Sequence, residues 1–589
     1  MKEIIEVSKK ISYGILAWGA AIAIVAVSGI SITKINMLVP IIMVSFLFVI
    51  AYFRKHCNTR DIRYGFGFSV PFALSLVLGS NIDMESIEKT FEWNIPLNLL
   101  YFTLLTGMGM IVIASFLVFL GKLNIRWRQF MGSPRRWGGI TVALCIIAWL
   151  PYYFTYFPGI ISNDAISMIG QGMGFEALNN HHPVLFTLFM KCVLMISTQF
   201  TTLNGAVGLF CTVHMIVFAL VLGYVVQWLA RKGASRELVV LTILYFACNP
   251  AIALYSVYIT KDIFFSSALL LFVLYIHDVV QSKGAELRNR GRFLPFILIC
   301  LAVIFLRNNG IYIVVGTLIL LMLVYQTEWK RLGVTLGISL IVALMVNGPI
   351  YTALNIAPSS FAESMSIPLQ QVGQVIVEEG DMGEWEEEYL SNLLPFDQVK
   401  EVYTPGYTDP YKFHEDFNNE YLNETKGEFL QVWASLLPSH FATYVEAYLM
   451  QTAGYWHIGQ TTSLSTYGVD ANTLGLEQVN GIEQITGISL EPIIEKLILA
   501  VRKAPVLCLV TNMAGMMFLF LFTVIYAGYN KQLTRVISQV PIWILWATVL
   551  VATPAYCLYR YLFVLSIALP YMIYLLQLLS SKGKEINGK

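Results

Sequence analysis

The residues best placed to do chemistry begin at Asp164. It closes the stretch Tyr156-Phe-Pro-Gly-Ile-Ile-Ser-Asn-Asp164, where a long apolar segment ends near Phe157. The polar run continues through Gln171 and Glu176 to Asn180-His-His-Pro183. Polar groups at the mouth of a membrane helix are costly unless something is bound or transformed there. A carboxylate in that position suits a general base acting on a hydroxyl, a role worth roughly 10²–10⁴ in rate.

Three more polar insertions fall at the ends of other apolar segments. Lys261-Asp262 follows Asn249-Pro250, Tyr255, Tyr258 and Thr260. An interfacial ion pair with a snorkelling lysine is the plain reading of that turn. Arg307-Asn308-Asn309-Gly310 links two short apolar runs. An arginine beside such a break lines a cavity and pairs with an anion, or more simply anchors a helix end. Tyr559-Arg560-Tyr561 also suits an aromatic belt at the membrane interface. His181-His182 with Asp164 and Glu176 lack any fixed metal-ligand spacing, and adjacent histidines point apart on a helix. Contacts to a polar substrate suit them better than metal ligation.

Taken together, Asp164 and Asp262 are the candidate catalytic residues. Lys261, Arg307, Asn308, His181, His182, Gln171 and Arg560 are the candidate substrate-binding residues. Carboxylates beside cations fit a reaction with a proton to remove and an anionic leaving group to hold. Transfer of a sugar from a lipid phosphate needs that combination, with one carboxylate as base and phosphate leaving from the opposite face.

The elements that must position these residues are membrane helices. The chain of 589 residues is 57% hydrophobic and 13% charged, with mean hydropathy +0.65 and net charge +1. That composition belongs to an integral membrane protein. The eight cysteines lie in apolar segments or their flanks, which favours isolated thiols over a disulfide framework. Met1–Lys10 leads into a first membrane helix and not into a cleaved signal. Because a bilayer core takes about 20 apolar residues, the expected crossings are 11–33, 36–53, 65–80, 96–120, 138–157, 205–230, 237–255, 263–281, 292–306, 310–326, 331–350, 505–528, 537–556 and 561–580. The apolar run 183–199 is not counted among these fourteen.

Charge settles that point. The basic loops around Arg54–Arg63, Lys122–Arg136, Arg231–Arg236, Lys283–Arg292, Lys330-Arg331 and Lys531–Arg535, with the tail Lys582–Lys589, share one side only if 183–199 does not cross. The expectation is therefore a re-entrant or surface helix within one outer loop, 158–204. The termini are then expected on the cytoplasmic side and Asp164 on the extracytoplasmic side of a plasma membrane.

The polar region 351–504 falls on the same outer side. From Tyr351 to Ala500 it holds 22 Asp and Glu, 4 Lys and no Arg, a net charge of −18. A solvated acidic face explains this better than a metal site. Apolar spacing at 367–378 and 428–450 predicts a small helical domain. The expected architecture is thus all-α: an N-terminal extension of four helices (1–137), a catalytic membrane core (138–350), the acidic domain (351–504), and C-terminal helices with a basic tail (505–589).

The arrangement resembles the polytopic glycosyltransferases of the GT-C fold that use polyprenyl-phosphate sugars. More closely, over roughly 138–580, it resembles a bacterial family of multi-spanning proteins of unknown function, the DUF6020 type. The matching residues are Pro158, Gly159, Asp164, Gln171, His182, Pro183, Lys261, Asp262, Arg307, Asn309 and Gly310. Ser366-Ile-Pro-Leu-Gln-Gln371 and the run Trp433–Trp456 match as well. The resemblance implies a GT-C-like core with Asp164 as catalytic base. It also implies that Lys261-Asp262 helps hold the donor phosphate or a divalent cation (Mg or Mn), the one cofactor left open. The implied partners are a polyprenyl-phosphate sugar donor, a glycan, lipid or protein acceptor, and membrane lipid, with no nucleic acid. Two features depart from related activities. Ala165 follows Asp164 where protein mannosyltransferases carry an Asp-Glu pair, and there is no Trp-Trp-Asp motif of the oligosaccharyltransferase kind.

Two other function classes compete. A transporter or flippase of lipid-linked glycans would place its polar residues at mid-membrane within inverted repeats, and no such repeat is visible. A non-catalytic assembly or sensor protein would leave Asp164 and Arg307 dispensable. No Gly-rich nucleotide loop is present, which argues against an ATP-driven motor.

Overall fold

The computed structural model describes residues 2–28, 32–82, 94–123, 128, 130–460, 464, 468–469, 473–504 and 507–580. Among these, every regular element is a helix, and extended pairing is confined to isolated bridges. The chain is an all-α polytopic membrane protein. None of the eight cysteines is joined in a disulfide.

Among the described residues each of the fourteen expected segments holds a helix, but fewer are long enough to cross a bilayer by length and composition alone. Among the described residues nine qualify, and the bent pair Arg236–Cys248 and Pro250–Ser256 makes ten. Ile11–Val27, Arg290–Leu306, Gly310–Val324 and Met513–Tyr529 are shorter. The tail 582–589 lies outside the described residues. The segment expected as one span at 237–255 breaks at Asn249 with a bend of 57°. Pro250 lacks the N–H that would continue the helix. The Asn249 carboxamide instead accepts from the Ala251 and Ile252 amides and starts the second piece.

Helix starts follow local chemistry elsewhere. Pro134 opens Pro134–Thr155 at a position where a missing N–H costs nothing. Thr202 caps Leu203–Arg231 through the Gly205 amide. Asn58 and Asp61 form a reciprocal capping box at Thr59–Gly79.

The run expected not to cross is the helix Val184–Ser197. Its 14 residues rise about 21 Å, short of the roughly 30 Å hydrocarbon core. It buries Phe186, Met190 and Leu194 and exposes Leu185, Leu188 and Ile196.

The helix Lys261–Gln281 is the axis of the bundle, with 89% of its apolar window buried inside the protein. One continuous hydrophobic core surrounds it and reaches from Cys145 to Leu575. Region 351–504 has a separate core built on Leu369, Val372, Leu390, Phe429, Val432 and Tyr444. The apolar stretch at 367–378 is the helix Ser366–Val377, as its spacing predicts. The stretch at 428–450 is two helices, Lys426–Leu436 and Phe441–Trp456. Pro438 lies in the gap between them and cannot donate to a continuing helix.

Candidate active site

Backbone pairing brings the first two polar stretches together. The Ile160 amide donates to the Val257 carbonyl (2.9 Å), and the Ile259 amide donates to the Ile160 carbonyl (3.0 Å). Gly159 permits this approach with φ +143°, since a Cβ there would stand 3.1 Å from Ile259 Cδ1 and 3.2 Å from the Val257 oxygen. Just beyond the pairing, Asp164 lies in the first turn of the helix Asn163–Met173, where the dipole favours a carboxylate. Thr260 caps Lys261–Gln281, so Lys261 and Asp262 both lie in its first turn. The dipole disfavours a cation at that helix end, and Asp164 compensates for it.

Arg307 leaves the helix Arg290–Leu306 in extended conformation, and the Gly310 amide closes the turn onto its carbonyl at 2.8 Å. The turn packs so tightly that a Cβ on Gly310 would overlap the Val303 carbonyl. Arg560 stands on the short 3-10 turn Tyr559–Leu562.

These four elements converge in a chain of charges. Asp164 Oδ2 lies 3.2 Å from Lys261 Nζ and 2.9 Å from Arg560 Nη1. Arg560 Nε is 3.7 Å from Asp262 Oδ2, and Arg307 Nη1 is 3.5 Å from Asp262 Oδ1. Arg307 also donates to the Tyr561 carbonyl and stacks 4.2 Å from the Tyr561 ring centre. The two carboxylates differ in access: the Asp164 side chain is 24% exposed and that of Asp262 only 1%. Both cations on Asp164 use the same oxygen, Oδ2. Burial opposes ionisation of Asp164, but Arg560 and then Lys261 hold its carboxyl well below the usual range.

Lys261 Nζ also sits 2.8 Å from His182 Nδ1. An ammonium can only donate, so Nδ1 accepts and the ring is neutral with its hydrogen on Nε2. Burial, and next the Lys261 charge, pull His182 down to about 2.

A family model described as a family of unknown function (DUF6020) matches residues 173–589. The chain belongs to this family. No curated protein and no solved structure matches it. The DUF6020 match holds Lys261, Asp262, Arg307 and Arg560, and it begins after Asp164 and Gln171. It is shorter at its start than the stretch 138–580 over which the sequence resembles that family.

The remaining candidates take different places. Gln171 braces its own loop: its Nε2 donates to Ser167 Oγ (3.2 Å) and its Oε1 accepts from the Asn179 amide (3.2 Å). His181 turns toward region 351–504, with Nδ1 3.8 Å from Glu363 Oε1. Asn308 lines a small cavity beside Asn180 and Asn347.

A second set of residues comes from region 351–504. Tyr407 feels the charges of Asp164 and Arg560. Lys412, 1% exposed, pairs with Glu363 at 3.0 Å and Asp409 at 2.9 Å. Burial pushes the Asp409 carboxyl up, with Lys412 opposing. Tyr407 and Ala555 form a backbone bridge, and the Thr408 amide donates to the Pro554 carbonyl at 2.9 Å. Fully buried Gln451 ties Thr408 Oγ1 (2.6 Å) to the Thr553 carbonyl (2.8 Å). The only advance signal for this set is a lysine within a strongly acidic stretch.

Among the described residues no three His, Cys, Asp or Glu side chains stand together as metal ligands. Asp164 and Asp262 are already flanked by three cations, a setting that does not fit a divalent ion.

Proposed function

We propose that this protein is a GT-C-like membrane glycosyltransferase, moving a sugar from a polyprenyl-phosphate donor to an acceptor at the extracytoplasmic face, with inversion. The observation that carries the reading is the geometry at Asp164. One oxygen is held by Lys261 and Arg560, while the other has no hydrogen-bond partner among the described residues. A partly exposed carboxylate oxygen beside two anion-binding groups meets the needs of base and leaving-group site at once.

In this mechanism the donor phosphate competes with Asp164 for Lys261 and Arg560. As those cations turn to the phosphate, Asp164 loses the charges that keep it weakly basic. The acceptor hydroxyl gives its proton to Asp164 as its oxygen bonds to the anomeric carbon. The bond from that carbon to the phosphate oxygen breaks, and its electron pair leaves on the lipid phosphate, held by Lys261 and Arg560. Asp262 acts as a positioning residue, keeping Arg307 and Arg560 in register.

An apolar cavity of about 810 Å³ between the helices Thr59–Gly79, Ile95–Lys122, Arg236–Cys248, Met513–Tyr529 and Val564–Ser580 supports a lipid-linked substrate. One wall residue is Leu509. The carbonyl of its neighbour Val510 accepts from Tyr559, the residue before Arg560.

The test is transfer of radiolabelled sugar from polyprenyl-phosphate donors to envelope acceptors, comparing wild type with Asp164→Asn at matched expression. Transfer lost in the variant is the expected result. Equal transfer by both removes Asp164 from catalysis. No transfer from any donor by folded wild type moves the reading to a transporter of lipid-linked glycans.

A further inference from the structure

Beside the charged centre lies a smaller cavity of about 190 Å³, lined by Asn180, Pro183, Phe305, Asn308, Asn347 and Tyr351. Three carboxamides from three distant parts of the chain converge on it. Asn180 precedes the pair His181-His182, and His182 contacts Lys261. Asn308 follows Arg307, the partner of Asp262. Asn347 stands on the π-helical turn Val346–Ile350 at the end of the helix Trp329–Met345. Such a turn inserts one residue, reorients the side chains after it, and is frequent at functional sites.

Among the described residues, none of the three side-chain amides hydrogen-bonds to the protein. Asn180 is half-buried and Asn308 and Asn347 are exposed, so the three amides lining this cavity are open to a hydrogen-bonding ligand.

Each amide offers two N–H donors and one carbonyl acceptor. Hydroxyls both donate and accept, so neighbouring hydroxyls on a ring match this set. The lining carries no formal charge, so it offers an anionic group no counterion. Pro183, Phe305 and Tyr351 supply an apolar face suited to the C–H side of a sugar ring. The volume lies below the roughly 300–1,000 Å³ of pockets for drug-sized ligands, which suits a single ring over a disaccharide or nucleotide.

We infer that this cavity binds one uncharged pyranose. It is the sugar of the donor whose phosphate meets Lys261 and Arg560, an assignment that rests on the transfer reading above. Asn180, Asn308 and Asn347 then determine sugar specificity.

The experiment measures binding by purified full-length protein in nanodiscs to three lipids: polyprenyl phosphate, polyprenyl-phosphate hexose and polyprenyl-phosphate uronic acid. Wild type should bind the hexose lipid at least about tenfold tighter than either of the others, a difference of 1.4 kcal/mol. Asn308→Leu and Asn347→Leu should erase that preference while leaving affinity for polyprenyl phosphate unchanged. Arg560→Ala should weaken all three lipids together. A preference that survives in both asparagine variants overturns the cavity assignment, as does wild type that binds the three lipids alike.

Failure to bind any of the lipids counts against the transfer reading and leaves the cavity to a second readout. Methyl hexopyranoside at high concentration should slow hydrogen exchange in 305–311 and 346–351 of wild type and not of Asn308→Leu. Absence of that protection overturns the cavity on its own.

Discussion

Asp262 and Asp278 mark the two ends of the buried helix Lys261–Gln281, about 24 Å apart at 1.5 Å per residue, and each is flanked by two cations from other helices. Lys232 and Arg292 hold Asp278 at 2.8 Å each, and Trp228 Nε1 adds a bond of 3.1 Å. At Asp262 the cations stand back at 3.5 and 3.7 Å. The axis of the bundle is therefore clamped at one end and held loosely at the other. The loose end is the candidate active site, where Arg307 and Arg560 keep electrostatic reach for a third party.

This asymmetry separates two neutralising substitutions. Asp278→Asn takes a buried carboxylate from two partly exposed cations and should lower stability by roughly 1.5–3 kcal/mol, the range for hydrogen bonds to charged groups. Asp262→Asn should cost less stability and more donor affinity. Thermal unfolding in detergent, set beside the KM for the lipid donor, distinguishes the two. Equal losses of stability would remove the distinction between clamp and site.

At Asp164 the expected loss is in turnover. On the proposed transfer mechanism Asp164→Asn keeps the shape and removes the base, so kcat should fall roughly 10²–10⁴-fold, with donor binding retained or improved as Lys261 and Arg560 are released. Single-turnover transfer with preloaded donor checks this.

Acid should affect stability through His182. Its folded value of about 2 lies below the ordinary 6.5, so the unfolded chain takes up a proton that the folded protein refuses. Stability then falls as pH drops below about 6.5. Asp164 has the opposite balance: its depressed value contributes stability above about 3.8, lost only as pH falls through the folded value. Between pH 7 and 5 the histidine dominates, and His182→Gln should show a smaller drop in melting temperature than wild type over that interval.

Gln451 joins the segment carrying Tyr407 to the loop before Arg560. Gln451→Leu leaves Thr408 Oγ1 and the Thr553 carbonyl short of a donor, a loss of roughly 1–3 kcal/mol. Hydrogen exchange should speed up across 404–412 while the helix Lys261–Gln281 stays protected. Unchanged exchange at 404–412 would show that the backbone bridge Tyr407–Ala555 suffices.

The expected orientation has its own check. Trp385 is 45% exposed in the acidic region. With the native cysteines replaced, Trp385→Cys should react with a membrane-impermeant maleimide in intact cells. Labelling only after permeabilisation would place this region in the cytoplasm.

How much of this was legible in the sequence follows from what each feature depends on. Asp164, Lys261, Asp262, Arg307 and Arg560 announced themselves because a charge at the end of an apolar run is conspicuous, and the side on which basic loops fall places such ends together. Val184–Ser197 was legible as a helix because its apolar run is continuous. The bend at Asn249 was less so, since Asn-Pro fits a capped restart as well as a gentle kink, and only packing decides. Tyr407, Asp409, Lys412 and Glu363 were hidden because a polar, acidic region gives no periodic cue about which of its charges turn inward. Asn180 and Asn347 were hidden more deeply still. An asparagine in a loop and another at a helix end carry no mark of meeting each other.

Asp164 and Asp262 both depend on Arg560, which is translated after nearly the whole of the remaining chain. A nascent protein that has inserted Lys261–Gln281 must wait through three more apolar helices, the acidic region and two further apolar helices before that guanidinium exists. The site thus closes late in biosynthesis, with only the helix Val564–Ser580 still to follow. A ribosome that stops before Arg560 releases a chain whose two site carboxylates lack that partner, the kind of unpaired charge by which quality control can tell unfinished molecules from finished ones.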